Sequence, residues 1–256
     1  MKCFDLTGKV AFLTGAAGNL GEVFAKALAE AGATMFLTDI NEEGLKKGAE
    51  EIRALGRECD YCILDVSDTA NIEAAVQACI DRFGKVDICV NLAAMLRDNR
   101  DPFEIDEESY GKVVYTNVVG SLAVAKACAK DMMKRNWGRI VNIGSLASFV
   151  VLKGVHGGAY ETSKAAVVML SKTLATEWRD TGICVNTIAP GYFGTQSNKN
   201  FFNADPEFYG KVIDMIPMAR LGEPEELVGA LILLCSDASS YMQGETISVD
   251  GGYACW

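Results

Sequence analysis

The chain has 256 residues, 50% hydrophobic and 23% charged, the make-up of a well-buried globule large enough for one large domain or two small ones. A net charge of −10 excludes broad non-specific binding to nucleic acid, which needs a basic face. No apolar run approaches the ~20 residues that span a bilayer, and the start does not read as a secretory leader, so a cytoplasmic protein with no membrane partner is expected.

KVAFLT at 9–14 is a short apolar strand opening on a glycine turn. Over 19–31, Leu20, Val23, Phe24, Ala27, Leu28 and Ala31 share one helix face, and Gly32 stops it. A strand at 34–39, a charged helix at 42–55, a strand at 59–65, a helix at 68–83 and a strand at 86–91 follow. One long helix is expected over 107–135, then a strand at 139–144, a helix at 158–181 and a strand at 183–190. The segment 191–218 is polar, aromatic and irregular, and a helix at 225–235 and a strand opening TISVDGG end the chain. Strands apolar on both faces, alternating with helices, predict an α/β, Rossmann-type doubly wound parallel sheet of about seven strands with helices on both faces. Nothing reads as a linker or a repeat. A single dinucleotide-binding and catalytic domain over 1–256 is expected, with a substrate loop or lid at about 191–218.

Nine cysteines, an odd number, are scattered along the chain without the pattern of a disulfide framework. Cys59 and Cys62 form the one C-x-x-C, but in a strand their thiols point to opposite faces, and no nearby histidine completes a zinc site. Buried structural cysteines and no metal are expected.

The glycines of the first turn, Gly15, Gly18 and Gly21, sit where a strand runs into a helix. There a backbone without side chains approaches a pyrophosphate, and the helix N-terminus offers N–H groups. Asp39 closes the second strand, 18 residues past Gly21. An acid at that point binds ribose hydroxyls and repels a 2′-phosphate. No Arg or Lys stands in the loop or directly after Asp39, so NAD is favoured over NADP. Asp65 and Val66, at the end of the third strand, are placed to meet the adenine; Asp65 also suits a helix cap.

In order along the chain stand the loop at 14–21, Asp65-Val66, Asn91-Leu-Ala-Ala94, Asn117, Ser145, Tyr160-x-x-x-Lys164, Pro190-Gly191 with Thr195, and Val249-Asp-Gly-Gly252. Together they resemble the short-chain dehydrogenase/reductase family over nearly the whole length. There are three departures. Asn19 stands where the compact members carry their middle glycine, and Gly18 comes one place early, a spacing similar to that of the longer sugar-nucleotide epimerases and dehydratases. The Pro-Gly motif and the VDGG ending keep the chain in the compact branch. Asn91-Leu-Ala-Ala94 replaces Asn-Asn-Ala-Gly, and Ser145 and Tyr160 are 15 apart, which enlarges the loop between them.

The resemblance implies a site. Tyr160 is the candidate base, its phenol brought down from a pKa near 10 by the ammonium of Lys164 one helical turn on. Ser145 holds the substrate oxygen, and Asn117 belongs to a proton relay toward Lys164. Cofactor contacts are implied for Asn19, Leu20, Ile40, Asn91, Ala93, Pro190, Gly191 and Thr195, besides Tyr160 and Lys164; Gly191 also suits a purely structural turn. A homotetramer is the family expectation. The segment 91–97 looks like its counterpart in gluconate and deoxygluconate dehydrogenases, which points to a secondary alcohol or ketone on a sugar acid or polyol. Arg97 and Arg100 either grip a carboxylate or are solvated charges. His156, the only histidine, either touches substrate or is an exposed side chain of the enlarged loop. Phe193 is a further substrate candidate. Two alternatives stay open. The aromatics Phe201, Phe202, Phe208 and Tyr209 suit a lid over a hydroxysteroid or another apolar alcohol. A catalytically weak nucleotide-binding regulatory protein is the third reading, against which Ser145, Tyr160, Lys164 and Asn117 stand.

Overall fold

A computed structural model of the chain describes residues 1–95, 103–151 and 158–255. Seven parallel strands form one sheet: β1 (Val10–Thr14), β2 (Thr34–Asp39), β3 (Cys59–Ile63), β4 (Ile88–Asn91), β5 (Gly138–Ile143), β6 (Ile183–Pro190) and β7 (Thr246–Val249), in the order β3-β2-β1-β4-β5-β6-β7. The order reverses between β1 and β4, so a crevice opens beyond their carboxyl ends. Thr14 pairs with Asn91 there, which sets the glycine turn beside the segment after β4.

The helices are α1 (Asn19–Glu30), α2 (Glu42–Ala54), α3 (Thr69–Phe83), α4 (Glu107–Val114), α5 (Ser121–Met132), α6 (Ala159–Glu177), α7 (Gln196–Ala204), α8 (Pro206–Asp214) and α9 (Val228–Cys235). Side-chain alternation in the strands feeds two cores. Ala11 and Leu13 of β1 join α1, α2 and α9 on one face. Val10 and Phe12 join α3 and α5 on the other, where Phe12 stacks on Phe36 at 5.7 Å between ring centroids. Among the described residues no helix is long and apolar enough to cross a membrane.

Two expected elements differ. The long helix over 107–135 is interrupted by a π-turn at Tyr115–Gly120. Residues there are compatible with an unbroken helix; the cause is tertiary. Gly120 presses so close to β3's continuation that a Cβ would sit 2.7 Å from Val66 O, and the buried Asn117 turns inward to bond the backbone of Met95. The segment 191–218 is not irregular. Thr195 caps α7 by accepting from Asn198 N at 3.2 Å, Asp205 caps α8 by accepting from Phe208 N at 3.0 Å, and Pro206 opens α8.

Cys59 is buried and Cys62 half-buried on β3. Burial pushes their thiols up to about 12 and about 11, so neither is a ready thiolate.

Candidate active site

The crevice holds a cavity of about 630 Å³. One end of its wall is the glycine loop. Gly15 has φ +69°, and a Cβ there would lie 2.8 Å from Ala93 N. A Cβ on Gly21 would run into Gly15 O, so the helix starts tight against the turn. Gly18 faces open space, its ideal Cβ reaching nothing nearer than Gly15 O at 3.5 Å. The bare backbone and the start of α1 together fit a pyrophosphate. Thr14 holds the turn to the next strand: its Oγ1 accepts from Leu92 N and Ala93 N, both at 3.1 Å.

Asp39 stands on the same wall. Its carboxylate accepts from Ala17 N at 3.1 Å and from Asn41 N at 3.0 Å, which fixes it between the glycine loop and the start of α2. Ile40, 73% exposed, and Asp65 with Val66 continue the wall. Asp65 accepts from Ser67 N at 2.8 Å and Ser67 Oγ at 2.7 Å, so it also shapes the turn into α3. Leu20, Ala93, Pro190, Gly191 and Thr195 line the cavity as well. Gly191 serves packing too: a Cβ there would lie 2.6 Å from Asp250 Cα in the turn after β7.

At the other end the structure brings Ser145, Tyr160 and Lys164 into the same cavity. Ser145 ends β5's run; its Oγ accepts from Ala147 N at 3.1 Å, which leaves its own O–H to donate. Tyr160 and Lys164 sit one turn apart on α6, the ammonium 5.6 Å from the phenol ring's centre. Lys164 is buried and donates to Ile143 O at 2.7 Å. Burial pulls its pKa down to about 8, so the ammonium still predominates at neutrality and is lost just above it.

Two expected members do not reach the cavity. The side-chain amide of Asn91 is buried and donates to Ser121 O at 3.1 Å and to Asn142 Oδ1 at 2.8 Å, tying β4 to α5 and β5. Asn117 acts from behind: its amide bonds Met95 N (2.7 Å) and O (3.0 Å) and donates to Ser163 Oγ at 2.9 Å. Ser163 in turn donates to Tyr160 O at 2.7 Å, so Asn117 joins the segment after β4 to the start of α6. Phe193 lines the cavity and lays its ring on Gly222, whose Cβ would fall 2.6 Å from it. Arg97, Arg100 and His156 lie outside the described residues.

The sequence reading missed Ser148. Its hydroxyl accepts from Ser145 N at 3.2 Å and donates to Lys164 O at 2.9 Å, joining the serine segment to α6. The spacing Ser145-x-x-Ser148 is the signal: the two form a reciprocal capping box.

The lid aromatics pack on one another and do not line the described wall of the cavity. Phe202 packs with Tyr192, Phe201, Phe208 and Tyr209 at centroid distances of 5.3–6.1 Å, over the buried Tyr253. The lid shows the cavity Thr195, Ser197 and Asn198 instead.

A glycine-loop crevice at the switch point of a parallel sheet, with a Tyr–Lys pair and a serine at its end, defines a dinucleotide-binding protein of the oxidoreductase class. A family model described as Enoyl-(Acyl carrier protein) reductase matches residues 15–254. The chain is 37% identical over 254 residues to 2-dehydro-3-deoxy-D-gluconate 5-dehydrogenase of Dickeya dadantii (strain 3937), covering 99% of this chain and 98% of that one. It is 35% identical to galactitol 2-dehydrogenase (L-tagatose-forming) of Cereibacter sphaeroides, again over 99% and 98%. Its fold is similar to a crystal structure of a gluconate 5-dehydrogenase from Burkholderia cenocepacia J2315 in complex with NADP and tartrate, with TM-score 0.93, 33% identity, and 100% and 98% of the chains covered. The chain belongs to the short-chain dehydrogenase/reductase family.

Proposed function

We propose that the chain is an NAD-dependent dehydrogenase that interconverts a secondary alcohol and a ketone on a sugar acid or related polyol, built as one domain with its lid at about 191–218. The observation that carries this reading is that Ser145, Tyr160 and Lys164 share one cavity with the glycine loop and Asp39. When bound, the nicotinamide supplies the hydride acceptor or donor. Ser145, its Oγ held by Ala147 N, donates its O–H to the substrate oxygen. Tyr160 exchanges the hydroxyl proton with that oxygen, and the nearby ammonium of Lys164 favours the phenolate.

NAD is supported by Asp39 and by the absence of a balancing cation: among the described residues, Lys164 is the one Lys or Arg on the cavity wall, and it stands with Tyr160. A 2′-phosphate beside Asp39 would meet repulsion. The Burkholderia cenocepacia relative was crystallised with NADP, so both dinucleotides have to be compared directly. A hydroxylated substrate is supported by the sugar-acid and galactitol dehydrogenases among the relatives.

Initial rates with NAD and NADP across sugar acids, polyols and hydroxysteroids test the reading. Turnover of a sugar acid or polyol with higher kcat/KM for NAD is expected. Turnover of hydroxysteroids alone, or NADP preferred, would reverse the corresponding half.

A further inference from the structure

Asn19, the residue that breaks the glycine pattern, is the first residue of α1, and its side chain crosses to the lid. Its Nδ2 donates to Ser197 Oγ at 3.2 Å, 178 residues further along the chain. Ser197 lies in the first turn of α7, and both residues line the cavity. The neighbouring lid side chains bond within their own segment. Thr195 accepts from Asn198 N at 3.2 Å, Asn198 Nδ2 donates to Phe193 O at 2.9 Å, and Gln196 Nε2 donates to Asn200 Oδ1 at 2.8 Å. Asn19–Ser197 thus joins the glycine loop to the lid, whereas the bonds of Thr195, Gln196 and Asn198 stay within the lid.

A glycine at position 19 has no group to offer the lid. The side chain here adds a donor without closing the loop, because the facing Gly18 stays bare, with 3.5 Å to Gly15 O. The pyrophosphate cradle is kept and a tie is added at its rim.

We propose that Asn19 and Ser197 form a clasp across the mouth of the dinucleotide cleft, which sets how fast the dinucleotide leaves. Asn19 is thus a positioning residue acting through the lid, and the inference rests on the reading of the cavity as a nicotinamide dinucleotide site. A ligand leaving on that side has to part the loop from α7. The bond is solvent-accessible and single, so it governs release by a modest factor, about two- to tenfold.

The test is the release rate of NADH, chased with excess NAD and followed by nicotinamide fluorescence in a stopped-flow instrument. The proteins are wild type, N19G, S197A and the double variant. Each single change is expected to speed release about two- to tenfold. The double variant is expected to release no faster than the faster single, since both changes remove one bond. Release at the wild-type rate in both singles, or effects that multiply in the double, overturns the clasp alone. If neither NADH nor NADPH gives a binding signal with the wild type, the dinucleotide reading falls and the clasp with it.

Discussion

Lys164 carries the most consequential shift at the scale of single residues. Its ammonium is taken out of water to sit under the Tyr160 ring and against Ile143 O, and burial lowers its pKa from 10.5 to about 8. Between those two values the unfolded chain holds a proton there that the folded chain has lost. The unfolded state binds more protons, so unfolding free energy rises with pH through this window. Compared with K164M, the cofactor-free wild type should gain up to about 1.4 kcal/mol per pH unit from pH 8 toward 10. Urea denaturation of both proteins at several pH values reads the difference directly; a flat difference across that range would sink the assignment. Tyr160 makes a second test. Y160F keeps the ring and loses the proton-carrying oxygen, so turnover should fall by about 10²–10⁴. Dinucleotide affinity, measured by fluorescence titration, should stay within a few-fold. A variant that kept wild-type turnover would remove Tyr160 from the chemistry.

Among the elements, α6 matters most because it bears Tyr160 and Lys164, and a buried polar thread holds it to the sheet. Asn91 of β4 donates to Asn142 of β5 at 2.8 Å, Asn142 donates to Ser171 of α6 at 2.8 Å, and Thr187 of β6 donates to Ser171 at 2.7 Å. All four residues are buried, so each bond lost leaves polar atoms without water. S171A orphans the Asn142 amide and the Thr187 hydroxyl together and should cost about 1–3 kcal/mol. Calorimetry would show a lowered Tm; an unchanged Tm would mean that the thread contributes no net stability. Legibility in the sequence divides along the same line. Strands such as 9–14 and 34–39, and the amphipathic helix after the glycine loop, announce themselves through local periodicity. Gly15, Gly21, Asp39, Ser145, Tyr160 and Lys164 are legible as candidates because they stand at element ends or one turn apart, and they line one cavity. The π-turn at Tyr115–Gly120 is not, since only the approach of Val66 O reveals it. The side-chain bonds of Asn91 are hidden for a similar reason: its partners, Ser121 and Asn142, lie 30 and 51 residues away. The lid helices were readable from Thr195 and Asp205-Pro206 as caps, but polar residues at helical spacing hide them.

For the whole molecule, the β7 end of the sheet bears on how copies of the chain meet. Among the described residues β7 is the last strand of the sheet, with no strand paired on its outer side, and it is only half-buried. Beside that edge α9, VGALILLC, packs on β5 and β6. It is apolar all round, yet Val228, Ala230, Ile232 and Leu233 remain only half-buried. A helix apolar on every side belongs in an interior. The homotetramer expected of the family would cover this edge, which solution mass can test. The mass in sedimentation equilibrium should be four times 27.5 kDa. Charge then predicts the direction of the salt effect. Each copy carries −10 at pH 7, so copies repel at long range while apolar surface holds them at contact. Raising the ionic strength from ~10 mM to ~150 mM shortens the screening length from about 30 Å to about 8 Å and should tighten association. An assembly held by ion pairs between copies would loosen instead. A species of 27.5 kDa at micromolar concentration in both buffers would refute the tetramer, and a tetramer that dissociates as salt rises would move its cause from apolar contact to charge.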